Sequence, residues 1–154
     1  MTPILSRYGE GVLGSIIING PATANYDIDL GTMTIQDWYH FTAYERTPGG
    51  PPPGDNGLIN GTMVNSTGGG HYLTTALEQG KRYRLRLINT SIDNYFKVHL
   101  DNHKLRVIAA DFVPIVPYEI DWLFIAIGKN WPPSILSSVG CILVTDRAQA
   151  NDMM

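Results

Sequence analysis

The sequence predicts an all-β protein in which short strands form a sandwich. Residues 81–89 are the clearest strand, because apolar side chains alternate there with three arginines at every second position. Other apolar runs recur at intervals of roughly 8–12 residues and are separated by Gly, Pro, Asn and Asp, which is typical of β-sandwiches and barrels. No segment shows the sustained period of an amphipathic helix.

The remaining strands are predicted from apolar, often β-branched segments that end at turn residues. Gly31 and Thr32 separate two of them, and Asp101 and Asn102 are residue types that tolerate the left-handed conformation of a two-residue hairpin turn. Residues 47–57 contain four prolines and four glycines, and this composition predicts a loop. The other predicted strands are 13–19, 26–30, 33–39, 95–100, 103–109, 118–127 and 142–145.

Length and composition are those of one globular domain. The chain has 154 residues, of which 44% are hydrophobic, so it can bury a core and is not expected to be disordered. Its net charge of −3 gives no indication of a nucleic-acid or membrane partner. The apolar run 122–127 is far shorter than the roughly 20 residues that span a bilayer, and residues 1–7 lack the apolar stretch of a signal peptide.

Two patterns that could bind anions have simpler explanations. Gly9, Gly11 and Gly14 satisfy G-x-G-x-x-G, but a β-branched run follows them where a nucleotide-binding fold needs a helix. The glycines are therefore expected to lead into a strand. The arginines of residues 81–89 could clamp an anion, although the alternation itself requires a polar, solvated strand face.

Histidine and cysteine positions do not predict a metal site in this chain. A blue-copper centre needs two histidines and a cysteine thiolate, and no histidine follows Cys141, the single cysteine. Cys141 is expected to be a small buried hydrophobe and excludes a disulfide framework. His99 and His103 flank the predicted turn and could be neighbours, whereas His71 follows three glycines and is expected to be solvated.

Three Asn-x-Ser/Thr triplets predict N-glycosylation. The acceptor asparagines are Asn60, Asn65 and Asn89, where chance would give about one in a chain of this composition. The triplets suggest passage through the secretory pathway.

Several motifs, in one order along the chain, resemble the laccases of ascomycete fungi. Residues 7–21 resemble the stretch that closes the first cupredoxin domain of these multicopper oxidases, and the motifs that follow resemble their second domain. Those motifs are residues 26–31, 35–40, 58–62, 80–91, 103–114 and 121–128.

The resemblance implies a fragment of a three-domain enzyme that oxidises phenols at a mononuclear copper and reduces dioxygen to water at a trinuclear copper cluster. Residues 1–20 would be the end of the first domain. Residues 21–154 would be the second plastocyanin-like domain, a cupredoxin-like Greek-key β-sandwich that is incomplete at its C-terminal end and has an atypical segment at 129–141.

In this family the first and third cupredoxin domains supply the copper ligands, and the middle domain lines the phenol pocket. The His-Ser-His and His-Cys-His motifs of the family are missing here, so this chain alone is expected to bind no copper and to be inactive. The family is extracellular, whereas a chain translated as written, without a leader, would be cytoplasmic. A stand-alone binding module is the alternative, with Trp38, Tyr39, Trp122 and Phe124 uncovered as an apolar patch.

Asp111 is the one residue that the resemblance assigns to the substrate. It aligns with an acidic position that family members place beside the phenol, where a carboxylate can accept the phenol proton. The alternative is an aspartate that caps the turn after the strand of residues 103–109.

Overall fold

The computed structural model describes residues 8–42, 53–127 and 139–145, and in the last of these segments the side chains of residues 142–144. These residues form eight strands: β1 (Ile28–Trp38), β2 (Asn56–Ile59), β3 (Arg82–Asn89), β4 (Phe96–His99), β5 (Leu105–Ala110), β6 (Val113–Ile120), β7 (Trp122–Ile125) and β8 (Val139–Thr145). The predicted all-β class is confirmed. In the described part of the chain there is no helix long and apolar enough to cross a bilayer.

The strands form two sheets. Six of them pair in the order β2-β1-β3-β8-β5-β6, and β4 pairs with β7 in a second sheet. β1 and β3 are parallel, whereas the other neighbours are antiparallel. The non-sequential order arises because the chain crosses between the sheets, as in a Greek-key sandwich.

The core lies between the two sheets and is built from alternate residues of the strands. Leu87 of β3 is fully buried, and it packs in one cluster with residues of β1, β5, β7 and β8. The buried members of this cluster are Ile35, Leu87, Leu105, Val107, Ile125, Ile142 and Val144. The apolar face predicted for residues 81–89 is therefore confirmed.

β1 is one continuous strand, although the sequence predicts two. Gly31, at the expected break, has a φ of 81° and lies where the β1–β3 register shifts between Asp29 and Thr32. The Asp29 side chain accepts a hydrogen bond from the Gly31 amide at 2.8 Å. The glycine therefore makes a bulge within the strand and does not end it.

One predicted strand and one predicted hairpin are wrong, because the chain changes sheets at both places. Residues 118–127 contain the end of β6 and all of β7, and these two strands belong to different sheets. The turn at Asp101 and Asn102 forms as predicted, with a φ of 61° at Asn102. The strands that it joins, β4 and β5, nevertheless pair with other partners.

Residues 13–19 are not a strand, which corrects both the strand prediction and the role expected for the preceding glycines. This β-branched segment has no sheet partner among the described residues, and Ile16 is 80% exposed. A β-favouring composition does not make a strand without a partner. Across the described ranges, side chains alone connect this stretch to the sandwich: the Ser15 and Thr32 hydroxyls lie 2.9 Å apart, and the Thr23 hydroxyl donates to the Ile108 carbonyl at 2.9 Å.

Two predictions fall partly outside the described residues. Of the predicted loop 47–57, residues 47–52 lie outside them, and the last two residues, Asn56 and Gly57, belong to β2. Of the atypical segment 129–141, residues 129–138 lie outside them, and its end is the start of β8. The Cys141 side chain also lies outside the described part, whereas its backbone pairs with Arg86 and Ala109.

Candidate functional site

Asp111 lies at the tip of the β5–β6 hairpin. Ala110 and Val113 pair across the two strands, so Asp111 and Phe112 form a two-residue turn with φ angles of 43° and 67°. Aspartate tolerates this left-handed conformation, but it is unusual for a bulky residue such as phenylalanine. The turn presents Phe112 to solvent, with 66% of its surface exposed.

A cavity of about 540 Å³ adjoins this turn. Phe112, the neighbour of Asp111 in the turn, lines this cavity. Most of the other lining side chains are apolar, and two arginines also line it. The lining includes Ile16, Ile18, Arg84, Arg86, Ile88, Ala109, Phe112 and Pro114. The arrangement gives an aromatic, largely apolar surface next to a carboxylate.

The arginine face of β3 is solvated only at Arg82, whose side chain is 42% exposed, and this corrects the sequence prediction for Arg84 and Arg86. Arg86 is buried and binds Asp29 in a bidentate ion pair, with N–O distances of 2.6 and 2.9 Å. The Arg84 guanidinium lies 3.9 Å from Asp29 and 5.2 Å from the centre of the Tyr26 ring. The Arg86 hydrogen bond is the main cause that lowers the pKa of Asp29. This cluster joins β1 to β3.

The buried carboxylate of Asp37 was not predicted from the sequence. Its oxygens accept hydrogen bonds of 2.9–3.1 Å from the backbone amides of residues 92–94, and one oxygen accepts the Tyr39 hydroxyl at 3.1 Å. The Ser91 hydroxyl accepts the Asp37 amide. Burial and the nearby Asp37 charge raise the pKa of Tyr39 to about 12. Asp37 therefore fixes the β3–β4 loop.

The three candidate glycosylation sites differ in accessibility. Asn60 and Asn65 are exposed on loops, where their side-chain oxygens accept hydrogen bonds from Thr34 and Thr67. Asn89 is only 4% exposed, and its amide nitrogen donates to the carbonyls of Asn94 and Ile125. Asn89 is therefore inaccessible in the folded chain, unlike Asn60 and Asn65.

The structure brings His99 and His103 to one cleft, beside Asp101. His99 Nδ1 lies 3.3 Å from a carboxylate oxygen of Asp101. His103 Nδ1 lies 2.7 Å from the backbone carbonyl oxygen of Asp101. His40 and His71 are exposed elsewhere. Within the described ranges, no three His, Cys, Asp or Glu side chains come together as a metal site.

The aromatic residues expected to form one uncovered patch lie on different sheets. Trp38 ends β1, whereas Trp122 and Phe124 belong to β7. Lys97 Nζ lies 4.2 Å above the Trp122 ring, and Phe124 stacks on Tyr95. Trp38, Trp122 and Phe124 are each partly exposed.

Comparison with known proteins identifies the family. The sequence profile of the Multicopper oxidase family matches residues 29–131, about two thirds of the chain. The chain belongs to the multicopper oxidase family. The matched residues include β2 to β7 and all of β1 except Ile28, so the family assignment covers most of the sandwich and the turn that carries Asp111.

The relatives of this multicopper oxidase chain include fungal laccases. It is 60% identical to Laccase-3 of Botryotinia fuckeliana in an alignment of 134 residues that covers 82% of this chain and 30% of that protein. It is 47% identical to a laccase of Neurospora crassa, of which it covers 21%. The crystal structure of the Botrytis aclada laccase superposes with a TM-score of 0.80 at 41% identity, over 94% of this chain and 28% of that one. The chain therefore spans less than a third of the length of these laccases.

Proposed function

We propose that this chain is the middle cupredoxin domain of a laccase, an enzyme that oxidises phenols and reduces dioxygen to water. The observation that carries the proposal is the 60% identity with Laccase-3 of Botryotinia fuckeliana across 82% of the chain. The structural similarity to the Botrytis aclada laccase extends over 94% of the chain and supports the same assignment.

Residues 1–20 then belong to the end of the preceding domain, and residues 21–154 form the middle domain with its atypical segment 129–141. The exposure of Ile16 and Ile18 supports this boundary, because β-branched residues that pair with strands of another domain are exposed in its absence. The first backbone hydrogen bond to a strand of the sandwich, from the Asp27 amide to the Arg82 carbonyl, comes just after the boundary.

Copper belongs to the domains that flank this one. The described residues do not assemble three metal ligands, so the donor set here does not fit a copper centre. The role of this domain is to bind the phenol and to accept its proton.

Asp111 accepts the phenol proton. A phenol that loses one electron becomes strongly acidic at its hydroxyl, and a carboxylate within hydrogen-bond reach takes that proton as the electron leaves for copper. Phe112, held outward by the same turn, offers an aromatic surface for the ring.

A chimera tests this assignment. Residues 21–127 replace the matching segment of Laccase-3, and we expect a copper-loaded enzyme with phenol-dependent oxygen consumption within about tenfold of the parent. The parent enzyme is the positive control. A chimera that folds and holds the parental amount of copper, yet does not oxidise phenols, would contradict the proposal.

Glycosylation of Asn60 and Asn65 is proposed for a chain that passes through the secretory pathway, the route of an extracellular enzyme. We expect peptide mass spectrometry of the chimera, secreted by a fungal host, to find glycans at Asn60 and Asn65 and an unmodified Asn89. The reason is the burial of Asn89, whose amide hydrogens are both donated. Asn60→Gln and Asn65→Gln are the controls, and a glycan at Asn89 in folded enzyme would refute the expectation.

A further inference from the structure

Three Asn-Gly pairs occur in the chain, and the structure places them in three different settings. They are Asn19-Gly20, Asn56-Gly57 and Asn60-Gly61. Asparagine is a labile side chain, and it deamidates most readily before glycine, which has no Cβ to hinder ring closure at its amide nitrogen. All three pairs carry the same local signal, so the surrounding structure decides which of them reacts.

Asn56 and Gly57 are held in a sheet. Both belong to β2, where Asn56 lies opposite Trp38 of β1 and Gly57 lies opposite Asp37. Ring closure needs rotation about the bond between Cα and the carbonyl carbon of the asparagine, and this rotation would break the β1–β2 ladder. The pair can therefore react only after local opening of this sheet edge, which costs free energy.

Asn60 and Gly61 are held in the turn that follows β2. Ile59 and Thr62 close this turn with backbone hydrogen bonds in both directions. The Asn60 side-chain oxygen accepts hydrogen bonds from the Thr34 amide at 2.8 Å and the Thr34 hydroxyl at 3.2 Å, and the Asn60 amide donates to the Thr34 carbonyl. These bonds fix the backbone and the side chain of Asn60, although the residue is exposed.

Asn19 and Gly20 have neither restraint. Both are exposed, and among the residues that the structure describes neither takes part in a hydrogen bond. The nearest hydrogen bonds to the strands on either side come from the side chains of Ser15 and Thr23, and Asn19 lies midway between them. A Cβ built at Gly20 would meet no atom within 4 Å. The Asn19 backbone can therefore rotate without breaking any contact of a sheet or turn.

We propose that Asn19 is a site of spontaneous deamidation and isoaspartate formation. The Gly20 backbone nitrogen attacks the side-chain carbonyl carbon of Asn19 and forms a bond to it. The nitrogen loses its proton, and the side-chain amide nitrogen leaves as ammonia, which gives a cyclic imide. Water then opens the imide at either carbonyl and yields aspartate or isoaspartate. No oxidation or reduction takes place, and water is the co-reactant.

The reaction would change both the charge and the backbone of this segment. It creates a carboxylate between Ile18 and Gly20, which line the cavity of the Asp111 turn together with Arg84 and Arg86. In isoaspartate the main chain runs through the side-chain carbons, so the backbone at residue 19 also becomes one carbon longer. The chemistry needs only the chain and water, and it does not depend on the proposed laccase function.

Incubation of the purified chain in mildly alkaline buffer tests this site. The chain is produced in a bacterial host, so that no glycan blocks Asn60. Peptide mass spectrometry measures deamidation, and labelling by an isoaspartate methyltransferase identifies the isomer. We expect Asn19 to react at least about tenfold faster than Asn56 or Asn60, because about 1.4 kcal/mol of local opening free energy already gives that factor.

Denatured chain and one variant are the controls. In denaturant the three asparagines should react at similar rates, because the restraints on Asn56 and Asn60 are gone. Gly20→Ala should slow the reaction at Asn19 and leave the other two unchanged, and its added Cβ has open space in the folded chain. The proposal is overturned if Asn19 in the folded chain stays unmodified while the denatured chain reacts, or if folded Asn56 or Asn60 reacts as fast as Asn19.

Discussion

Replacing Asp111 with asparagine in the Laccase-3 chimera should lower kcat/KM for phenols by about a hundredfold. A positioned proton acceptor contributes about 10²–10⁴ in rate, and asparagine cannot take the phenol proton. Asparagine tolerates the φ of 43° at this position, so the turn should persist. Oxygen consumption measured across a range of pH with a small phenol gives the rate and its pH profile.

Two controls separate proton acceptance from a structural role of the turn. Ferrocyanide has no proton to lose, so its oxidation by the Asp111→Asn chimera should match that of the parental chimera. Asp111→Glu should restore most of the phenol activity, because it restores the carboxylate. Equal losses with phenol and ferrocyanide would mean that Asp111 only caps its turn.

Replacing Asp37 with alanine should destabilise the chain by about 3 kcal/mol, because several part-buried donors lose one buried acceptor together. The affected donors are the backbone amides of residues 92–94 and the Tyr39 hydroxyl. Domains of this size are commonly stable by about 5–15 kcal/mol, so the loss is a large part of the total. Urea unfolding followed by tryptophan fluorescence measures it.

Asp55→Ala is the matched control for Asp37. Asp55 is an exposed aspartate whose side chain accepts a hydrogen bond from the His40 amide at 2.8 Å. Its removal should cost about 1 kcal/mol or less, because water can satisfy the amide. If the two substitutions had equal effects, the Asp37 carboxylate would not be what holds the β3–β4 loop.

Features that depend on local sequence could be predicted. The alternation of residues 81–89 identifies β3 and its buried face, and Asp101 and Asn102 identify a turn. Features that depend on distant partners could not. Residues 13–19 have the composition of a strand, yet no partner in the described part of the chain pairs with them.

The same distinction between local sequence and distant contacts applies to the candidate site. Asp111 was found through resemblance to a family, and no local signal shows that Phe112 shares its left-handed turn. The triplet at Asn89 is a local pattern, but its burial follows from contacts with Asn94 and Ile125. Likewise, Arg86 becomes buried because Asp29, on β1, neutralises its charge.

The central position of β8 has a consequence for biosynthesis. β8 lies between β3 and β5, although it follows both by many residues in the chain. Until residues 139–145 leave the ribosome, the nascent polypeptide carries two open strand edges that can pair with other chains. We therefore expect a premature stop before β8 to release a chain that is prone to aggregation.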